Sequence, residues 1–442
     1  MGAQIPGVIG DVDATWLKSE LGWDVDSMDV QQIGAGIGVS SALYRLKLRG
    51  ANCPSSVIVK LPALDEAAVF TSTMLRMYIR EANFFVSLCN EMPIGVPVAY
   101  LARVDEATSQ FVVVMEDLGG LRIVDQNEGM SITDARAAID AAAKLHAKWW
   151  GHGDELSAAG TTISLGDPIY PAVLPFVFGE GWEKLTKEVE LPASIMEIGP
   201  KFVERLPSLL QSLVTGPNTL CHGDYRADNM LFNAQGEPVV IDFQLLGSGT
   251  GAYDVAYFVT QSLSMQDASQ YERELFDRWI AGLTSAGLVV DAEDLWLQYR
   301  RSALFCSSSQ SAVAHVGCLS PCLVTQSRGT PSKTKRIVDT ATTSLRHQPL
   351  IQQPLSLQSS DQIIRVHIAT HLAYSNSVSQ STPRHMRRCH CRVTENRSPL
   401  ARPVHQTTCC RRGSHRDTTC LALPPAIATT TATALQTSAQ FP

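Results

Sequence analysis

The chain has 442 residues, of which 45% are hydrophobic, and a formal net charge of −7 at pH 7. No stretch of the sequence approaches the roughly 18–20 apolar residues that a membrane helix needs, which excludes a helical membrane protein. The first 16 residues have neither a basic start nor an apolar run, so we expect no secretory signal and a cytoplasmic location. Neither a nucleic-acid partner nor a membrane partner is expected.

The charge is divided unevenly along the chain. Residues 1–306 contain 21 Lys and Arg against 39 Asp and Glu, which gives a net charge of −18. Residues 307–442 contain 15 Lys and Arg against 4 Asp and Glu, which gives +11. An asymmetry of this size indicates that the two parts differ in kind.

The first predicted elements are strands with one helix among them. Apolar alternation on both sides of a Gly/Ser loop predicts a hairpin over residues 29–48. A β-branched run over residues 56–61 predicts a buried strand, a helix is predicted over 66–90, and residues 111–115 predict another strand. This order predicts a small mixed lobe over residues 1–118.

Helices dominate the pattern after residue 118. The segment 219–258 is the exception, since it contains two short strands around the turn 233–236. We therefore expect a helical lobe over residues 119–306 and a two-lobed α/β (α+β) fold. Apolar periodicity predicts helices over 133–150, 195–214, 266–287 and 291–305.

The last part of the chain, residues 307–442, changes character abruptly. It has no Trp, one Tyr and one Phe, and it holds eight of the eleven His and seven of the eleven Cys. Our preferred interpretation is out-of-frame translation after a frameshift or a misassigned gene end, and a disordered basic tail is the second. A zinc site ranks last, because Cys389-His390-Cys391 and Cys409-Cys410 lack the two-residue spacing with which thiolate pairs hold one ion.

The most informative segment is His222-Gly-Asp-Tyr-Arg-Ala-Asp-Asn229, followed thirteen residues later by Asp242. Phosphoryl transfer needs a carboxylate at the attacking hydroxyl, oxygen ligands for magnesium and a fixed cation on the phosphates. Asp224 and Asn229 supply the carboxylate and one metal ligand from one tight loop, and Asp242 supplies a second ligand at the end of a strand. The hairpin over residues 231–241 predicts that Asn229 and Asp242 lie close together. Each motif alone is an ordinary turn or strand end, and only their order and spacing favour this chemistry.

These motifs, together with Asp254-Val-Ala-Tyr-Phe258, resemble the choline-kinase-like and ecdysteroid-kinase-like (CHK) branch of the aminoglycoside-phosphotransferase family. That family has the protein-kinase-like fold, and the resemblance covers about residues 30–306. Gln244 and the Asp-x-x-Tyr-Phe segment favour this branch over protein kinases, which have Asp-Phe-Gly. The resemblance implies ATP and Mg²⁺ as cofactors and a hydroxyl group of a small organic molecule as the acceptor.

The resemblance also implies roles for the residues of the catalytic loop. Asp224 would act as the catalytic base, and Arg226 would stabilise the charge of the transferring phosphoryl group. Asn229 and Asp242 would be the magnesium ligands. Asp254 would brace the catalytic loop through backbone hydrogen bonds.

The remaining residues with implied roles belong to the nucleotide side. Lys60 would bind the α- and β-phosphates and would itself be held by Glu81. A loop with Gly34, Gly36 and Gly38 fits backbone contacts to phosphate, although a plain hairpin turn has the same pattern about as often. The segment Glu116, Asp117 and Leu118 resembles the hinge between the lobes, where backbone groups would bind adenine.

Two other classes of protein are alternatives to a small-molecule kinase. A catalytically impaired nucleotide-binding protein would keep the same fold. Relatives continue their helical lobe past residue 306, so terminal helices that shape the acceptor pocket would be missing here. A protein kinase is the other alternative, but no Ala-Pro-Glu segment follows Asp242. The acidic body suits a cationic acceptor such as an amino alcohol or an aminoglycoside, and solubility explains the same charge equally well.

Overall fold

The small lobe is organised around one antiparallel sheet of five strands. The computed structural model describes residues 5–34, 40–126, 128–188 and 193–316. In the sheet, the central strand pairs Lys60 with Leu43 on one side and with Val113 on the other. The strands are β1 (Asp24–Ile33), β2 (Ser41–Ala51), β3 (Ser56–Pro62), β4 (Ala99–Asp105) and β5 (Gln110–Glu116), in the spatial order β1-β2-β3-β5-β4.

Alternate residues of β5 face two different parts of the core. Val112 and Val114 belong to an apolar cluster that includes Leu17. Phe111 points to the other side and stacks on Tyr78, with 4.3 Å between the ring centroids. Because both faces of the strand are covered, its sequence is a continuous apolar run without polar alternation.

The helix that the sequence predicts over residues 66–90 is interrupted. The break falls at Leu75 and Arg76, and Arg76 has a φ of +53°. Arg80 Nη2 donates to the Leu75 carbonyl oxygen at 2.7 Å, so a side chain satisfies a helix-end carbonyl. The prediction of one continuous helix was wrong, because Arg76 takes a left-handed conformation between the end of one helix and the start of the next. The helices of the lobe are α1 (Ala14–Leu21), α2 (Glu66–Met74) and α3 (Met77–Asn83), and a π turn over Phe84–Leu88 follows α3.

The second lobe is mainly helical. Its helix over Ile169–Glu188, which has Pro175 inside it, was not predicted from the sequence. The helices are α4 (Ile132–Lys148), α5 (Gly153–Ala158), α6 (Ile169–Glu188), α7 (Ala193–Ser212), α8 (Ala252–Ser262), α9 (Met265–Ser285) and α10 (Ala292–Val316). Helix α4 packs on α9, and α10 packs on α6 and α8.

Two short sheets of three strands each carry the loops of this lobe. Their strands are β6 (Arg122–Ile123), β7 (Ile163–Ser164), β8 (Thr219–Cys221), β9 (Met230–Phe232), β10 (Pro238–Val240) and β11 (Gly247–Gly249). One sheet has the order β10-β9-β6, and the other has the order β7-β11-β8. The antiparallel β9–β10 hairpin is the one that the sequence predicts between Asn229 and Asp242.

A sheet lobe and a larger helical lobe make up the two-lobed α/β (α+β) fold that the sequence predicted. The boundary at residue 118 stays a prediction, as it falls between the end of β5 and the start of α4. Helix α10 extends to Val316, while residues 317–442, and with them most of the basic part, lie outside the described residues. Within the described ranges, no helix combines the length and apolar character needed to cross a membrane. The cytoplasmic location stays a prediction.

Candidate active site

The loop that begins at His222 is held by one buried carboxylate. Asp254 of α8 accepts the His222 backbone N–H at 2.7 Å and the Gly223 backbone N–H at 3.0 Å. Gly223 has a φ of +85°, and a Cβ atom there would lie 2.0 Å from the Leu245 carbonyl oxygen. Only glycine fits such a position. The loop therefore has a fixed backbone before it reaches Asp224.

A histidine and a tryptophan support Asp254 from the core. The indole Nε1 of Trp279 donates to His146 Nδ1 at 3.0 Å. Since Nδ1 accepts, the proton of the neutral ring is on Nε2, which lies 3.2 Å from Asp254 Oδ2 and donates to it. His146 and Asp254 are both fully buried. Helices α4, α8 and α9 thus contribute one chain of hydrogen bonds that ends at the loop of His222 and Gly223.

The Asp224 carboxylate is oriented by three neighbouring groups. Asn229 Nδ2 donates to Asp224 Oδ2 and to the Asp224 carbonyl oxygen, at 2.9 Å each. Arg226 Nε lies 3.1 Å from Asp224 Oδ1. The Tyr257 hydroxyl also hydrogen-bonds to this carboxylate, and burial together with the Asp224 charge raises the pKa of Tyr257 well above its usual value. The Asp224 side chain is 16% exposed, so it is both fixed and accessible.

Asp242 lies beside Asn229 at the end of the β9–β10 hairpin. The Ile241 backbone N–H donates to the Asn229 carbonyl oxygen at 3.0 Å, directly beyond the last strand pair. Asp242 has a φ of +66°, a left-handed conformation that is uncommon outside glycine and costs about 1–3 kcal/mol. Its carboxylate is 35% exposed in an otherwise buried cluster. The turn therefore holds a strained, accessible carboxylate next to Asn229.

One lysine lies between two carboxylates at the junction of the lobes. Lys60 Nζ is 2.7 Å from Glu81 Oε1 and 2.9 Å from Asp242 Oδ1, and its side chain is 4% exposed. Burial alone would lower the pKa of Lys60, but the charges of Asp242 and Glu81 outweigh it and raise that pKa. Burial raises the pKa of Glu81 to about 7, although the Lys60 charge lowers it. For Asp242, burial is outweighed by the Lys60 charge, and its pKa is lowered.

The predicted hinge residues are bound mainly within the small lobe. The Glu116 backbone N–H donates to the Val98 carbonyl oxygen at 2.9 Å. Asp117 accepts from Arg45 Nε at 2.7 Å, which ties it to β2. Leu118 follows directly and accepts a backbone hydrogen bond from the chain three residues on. A role of this segment in adenine binding stays a prediction.

Of the three glycines predicted to approach phosphate, one is described. Gly34 follows β1 and has a φ of +66°, a left-handed conformation that glycine adopts without strain. Gly36 and Gly38 fall in residues 35–39, which lie outside the described residues.

The donor set fits magnesium bound together with a nucleotide. Both amide hydrogens of Asn229 are used on Asp224, which leaves its amide oxygen as a ligand atom, and the Asn229 backbone pairs with Ile241, the residue before Asp242. Magnesium prefers oxygen ligands, and in nucleotide sites it takes one or two from the protein and the rest from phosphates and water. The described part of the chain has no group of three or more His, Cys, Asp or Glu that would hold a metal alone.

Two motif residues contact the site in ways that the sequence analysis did not predict. Tyr257 of the Asp-x-x-Tyr-Phe segment contacts Asp224. Gln244 reaches across to the start of β2, where Ser40 and Ser41 contact its side-chain amide. Their presence inside the motifs was the available signal, but neither contact follows from spacing.

The two-lobed fold and this constellation define a phosphotransferase of the protein-kinase-like class. The sequence profile of the phosphotransferase enzyme family (APH) matches residues 30–294, well over half of the chain. The chain belongs to this family, which confirms the resemblance found in the sequence.

The solved structures that resemble this chain have low sequence identity to it. Macrolide 2'-phosphotransferase MphH from Brachybacterium faecium is 18% identical, with a TM-score of 0.40 over 68% of this chain and 96% of that one. Choline kinase LicA from Streptococcus pneumoniae is 16% identical, with a TM-score of 0.42 over 70% and 90%. Choline kinase from Cryptosporidium parvum Iowa II is 12% identical, with a TM-score of 0.45 over 68% and 84%. No curated protein matches the chain.

Proposed function

We propose that this chain is an ATP-dependent kinase that transfers the γ-phosphate to a hydroxyl group of a small organic molecule. The nucleotide would bind between a lobe of residues 1–118 and a lobe of residues 119–306. When bound, ATP with Mg²⁺ would supply the phosphoryl group and neutralise the charge around it. Side chains of the protein would bind the phosphates and the metal, orient the acceptor and take its proton.

The observation that carries the proposal is the convergence of both lobes on Asp242. Lys60 Nζ of β3 lies 2.9 Å from the Asp242 carboxylate, which itself lies beside Asn229. A buried cation next to a partly exposed carboxylate, with the buried Asn229 amide close to the same turn, matches the requirements of a phosphate chain with its metal ion. We assign Lys60 to the phosphates, Glu81 to holding Lys60, and Asn229 with Asp242 to the metal.

Asp224 would orient the acceptor and take its proton. The carboxylate is held by Asn229 and Tyr257 and remains partly exposed. A hydroxyl that donates to it would be aligned for in-line attack, and its proton would pass to the carboxylate as the new oxygen–phosphorus bond forms. The bond between the γ-phosphorus and the β,γ-bridging oxygen would break at the same time, and ADP would leave with the electron pair. Arg226 lies 3.1 Å from Asp224 and is 7% exposed, and we assign it to stabilising charge on the transferring group.

The test is phosphate transfer by the full chain with a matched pair of variants. Product would be measured with γ-labelled ATP and a panel of hydroxyl compounds that includes amino alcohols and aminoglycosides. We expect transfer to at least one acceptor, loss of transfer in Asp224→Asn, and normal transfer in Asp277→Asn. The control is the same chemical change on α9, where the Asp277 side chain is 55% exposed.

The outcome that contradicts the proposal is equally specific. Nucleotide binding without transfer to any acceptor would favour the non-catalytic alternative. If Asp224→Asn still transfers phosphate, Asp224 is not the catalytic base. Membership of the phosphotransferase family would be unaffected by that result.

A further inference from the structure

Gln244 is a buried amide that joins the two lobes. It lies two residues after Asp242 and is 2% exposed. Its Oε1 accepts from Ser40 Oγ at 2.6 Å, and its Nε2 donates to Ser41 Oγ. Ser41 is the first residue of β2, the strand that pairs Leu43 with Lys60. One side chain of the helical lobe therefore contacts the start of the strand next to Lys60.

The chemistry of these contacts is more specific than packing requires. A buried amide without partners costs about 1–3 kcal/mol, whereas an apolar side chain of similar size fills the same space without that cost. Here the acceptor and the donor of the Gln244 amide each meet a serine hydroxyl from the other lobe. The pairing fixes both the position of β2 and the orientation of the amide.

Gln244 also lies close to the buried Glu81 carboxylate. Burial raises the pKa of Glu81, and the Gln244 amide is among the groups that oppose this rise. The Gln244 side chain thus sits between the start of β2 and the Lys60–Glu81 pair.

Other contacts between the lobes near this point are the Lys60–Asp242 ion pair, the stacked rings of Phe84 and Phe243, and the hydrogen bond from Arg80 to the Leu246 carbonyl oxygen. Of these, the ion pair belongs to the proposed chemistry. If Lys60 binds phosphate and Asp242 binds the metal, both ends of that ion pair acquire new partners. The partners of Gln244 are two serine hydroxyls that the proposed chemistry does not use. The Gln244 hydrogen bonds can therefore stay formed in both the free and the nucleotide-bound protein.

We propose that Gln244 is a positioning residue that holds β2 and the Lys60–Glu81 pair in register with Asp242, and so aligns the cation and the metal-binding carboxylate for MgADP and MgATP. This inference rests on the proposed function. It predicts two separate effects when the amide is removed. The start of β2 loosens in the free protein, and nucleotide binding weakens.

The experiment compares two Gln→Met substitutions in the full chain. Gln244→Met keeps the side-chain volume and removes the amide, and Gln235→Met makes the same change at an exposed position in the β9–β10 turn. MgADP affinity would be measured by calorimetry, and amide hydrogen exchange of residues 41–48 would be measured without nucleotide. For Gln244→Met we expect about tenfold weaker binding, the scale of one or two buried hydrogen bonds, and faster exchange. Gln235→Met is expected to match the unmodified chain in both.

A second pair of variants keeps the test decisive if Gln244→Met does not fold. Ser41→Ala removes the partner of Gln244 Nε2 from the other lobe, and we expect about threefold weaker MgADP binding. Ser40→Ala removes the donor to Gln244 Oε1, and we expect a loss of similar size. Unchanged binding in both serine variants would overturn the inference.

Failure of the inference is distinguishable from failure of the proposed function. If the unmodified chain binds MgADP and Gln244→Met binds it equally well with unchanged exchange, the inference fails and the kinase proposal stands. If the unmodified chain does not bind MgADP at all, the proposed function fails, and the role in aligning the nucleotide site fails with it.

Discussion

Lys60 Nζ lies 2.9 Å from Asp242 Oδ1, and this ion pair joins the central strand of the small lobe to the turn after β10 in the helical lobe. Lys60 is also 2.7 Å from Glu81 Oε1. One buried cation thus compensates two carboxylates that come from different parts of the chain. Replacing any of the three is expected to affect both stability and function.

Removing the lysine is expected to be costly in two ways. Lys60→Met leaves Glu81 and Asp242 without their common cation, and breaking a buried pair from one side costs about 3–5 kcal/mol. We also expect phosphate transfer to be lost. Urea unfolding gives the change in free energy, and the transfer assay gives the change in activity.

A surface lysine provides the control for this prediction. Lys18 pairs with Asp24, and both side chains are at least half exposed. Because exposed pairs contribute little, Lys18→Met is expected to change the free energy of unfolding by less than about 1 kcal/mol. Equal effects of the two substitutions would contradict the importance of the buried pair.

Glu81 is expected to make stability depend on pH. Its pKa is raised from 4.5 to about 7, chiefly by burial, so folding favours its protonated form. The resulting stabilisation is fully present below pH 4.5 and is lost as the pH rises through about 7. Glu81→Gln cannot ionise, so the unmodified chain should lose about 3 kcal/mol relative to this variant between pH 4.5 and pH 8.

The measurement is urea unfolding of both proteins at several pH values. Lys60 is coupled to Glu81, but its pKa is raised from 10.5 and it stays protonated in the unmodified protein across this range, so the difference between the two curves reports chiefly on Glu81. Parallel curves across this range would show that Glu81 titrates at the same pKa in the folded and unfolded states.

Two glycines have a similar left-handed backbone, but only one of them lies against another part of the chain. Comparing their alanine variants therefore separates the cost of backbone strain from the cost of a steric clash. Gly223 has a φ of +85° and Gly236 a φ of +79°. A Cβ at Gly223 would lie 2.0 Å from the Leu245 carbonyl oxygen, whereas a Cβ at Gly236 meets no atom within 4 Å. We expect Gly236→Ala to cost about 1 kcal/mol in left-handed strain alone. Gly223→Ala should cost more than about 3 kcal/mol and abolish transfer, because the catalytic loop must move.

Thermal and urea unfolding of the two alanine variants test this prediction, with phosphate transfer as the functional measure. A Gly223→Ala protein that is as stable and active as Gly236→Ala would mean that the loop tolerates displacement around Asp224.

The sequence predicted those parts of the site whose arrangement is set by residues close together in the chain. Asn229 and Asp242 flank a hairpin whose strands and turn are evident from residue type, so their proximity follows from antiparallel pairing. The Lys60–Glu81 ion pair was expected only through the family resemblance, because a lysine on a strand and a glutamate on a helix have no local link. The structure contains this pair at 2.7 Å.

Contacts between distant segments account for what the sequence did not predict. The break at Arg76 lies beside Arg80, whose guanidinium donates to the Leu75 carbonyl oxygen and also to the distant Leu246 carbonyl oxygen, while apolar periodicity continues through the break. The Gln244 contact joins residues more than 200 positions apart, so neither propensity nor spacing encodes it. In both cases hydrogen bonds to segments far away in the chain accompany the local arrangement.

The central claim is that Asp242 and Asn229 hold a divalent ion that the nucleotide shares. The most direct measurement is ATP affinity of the full chain by calorimetry, with and without Mg²⁺, for the unmodified protein and for Asp242→Asn. We predict that Mg²⁺ strengthens ATP binding at least about tenfold in the unmodified protein and has little effect in the variant. Equal enhancement by Mg²⁺ in both proteins, or none in the unmodified chain, would contradict the account.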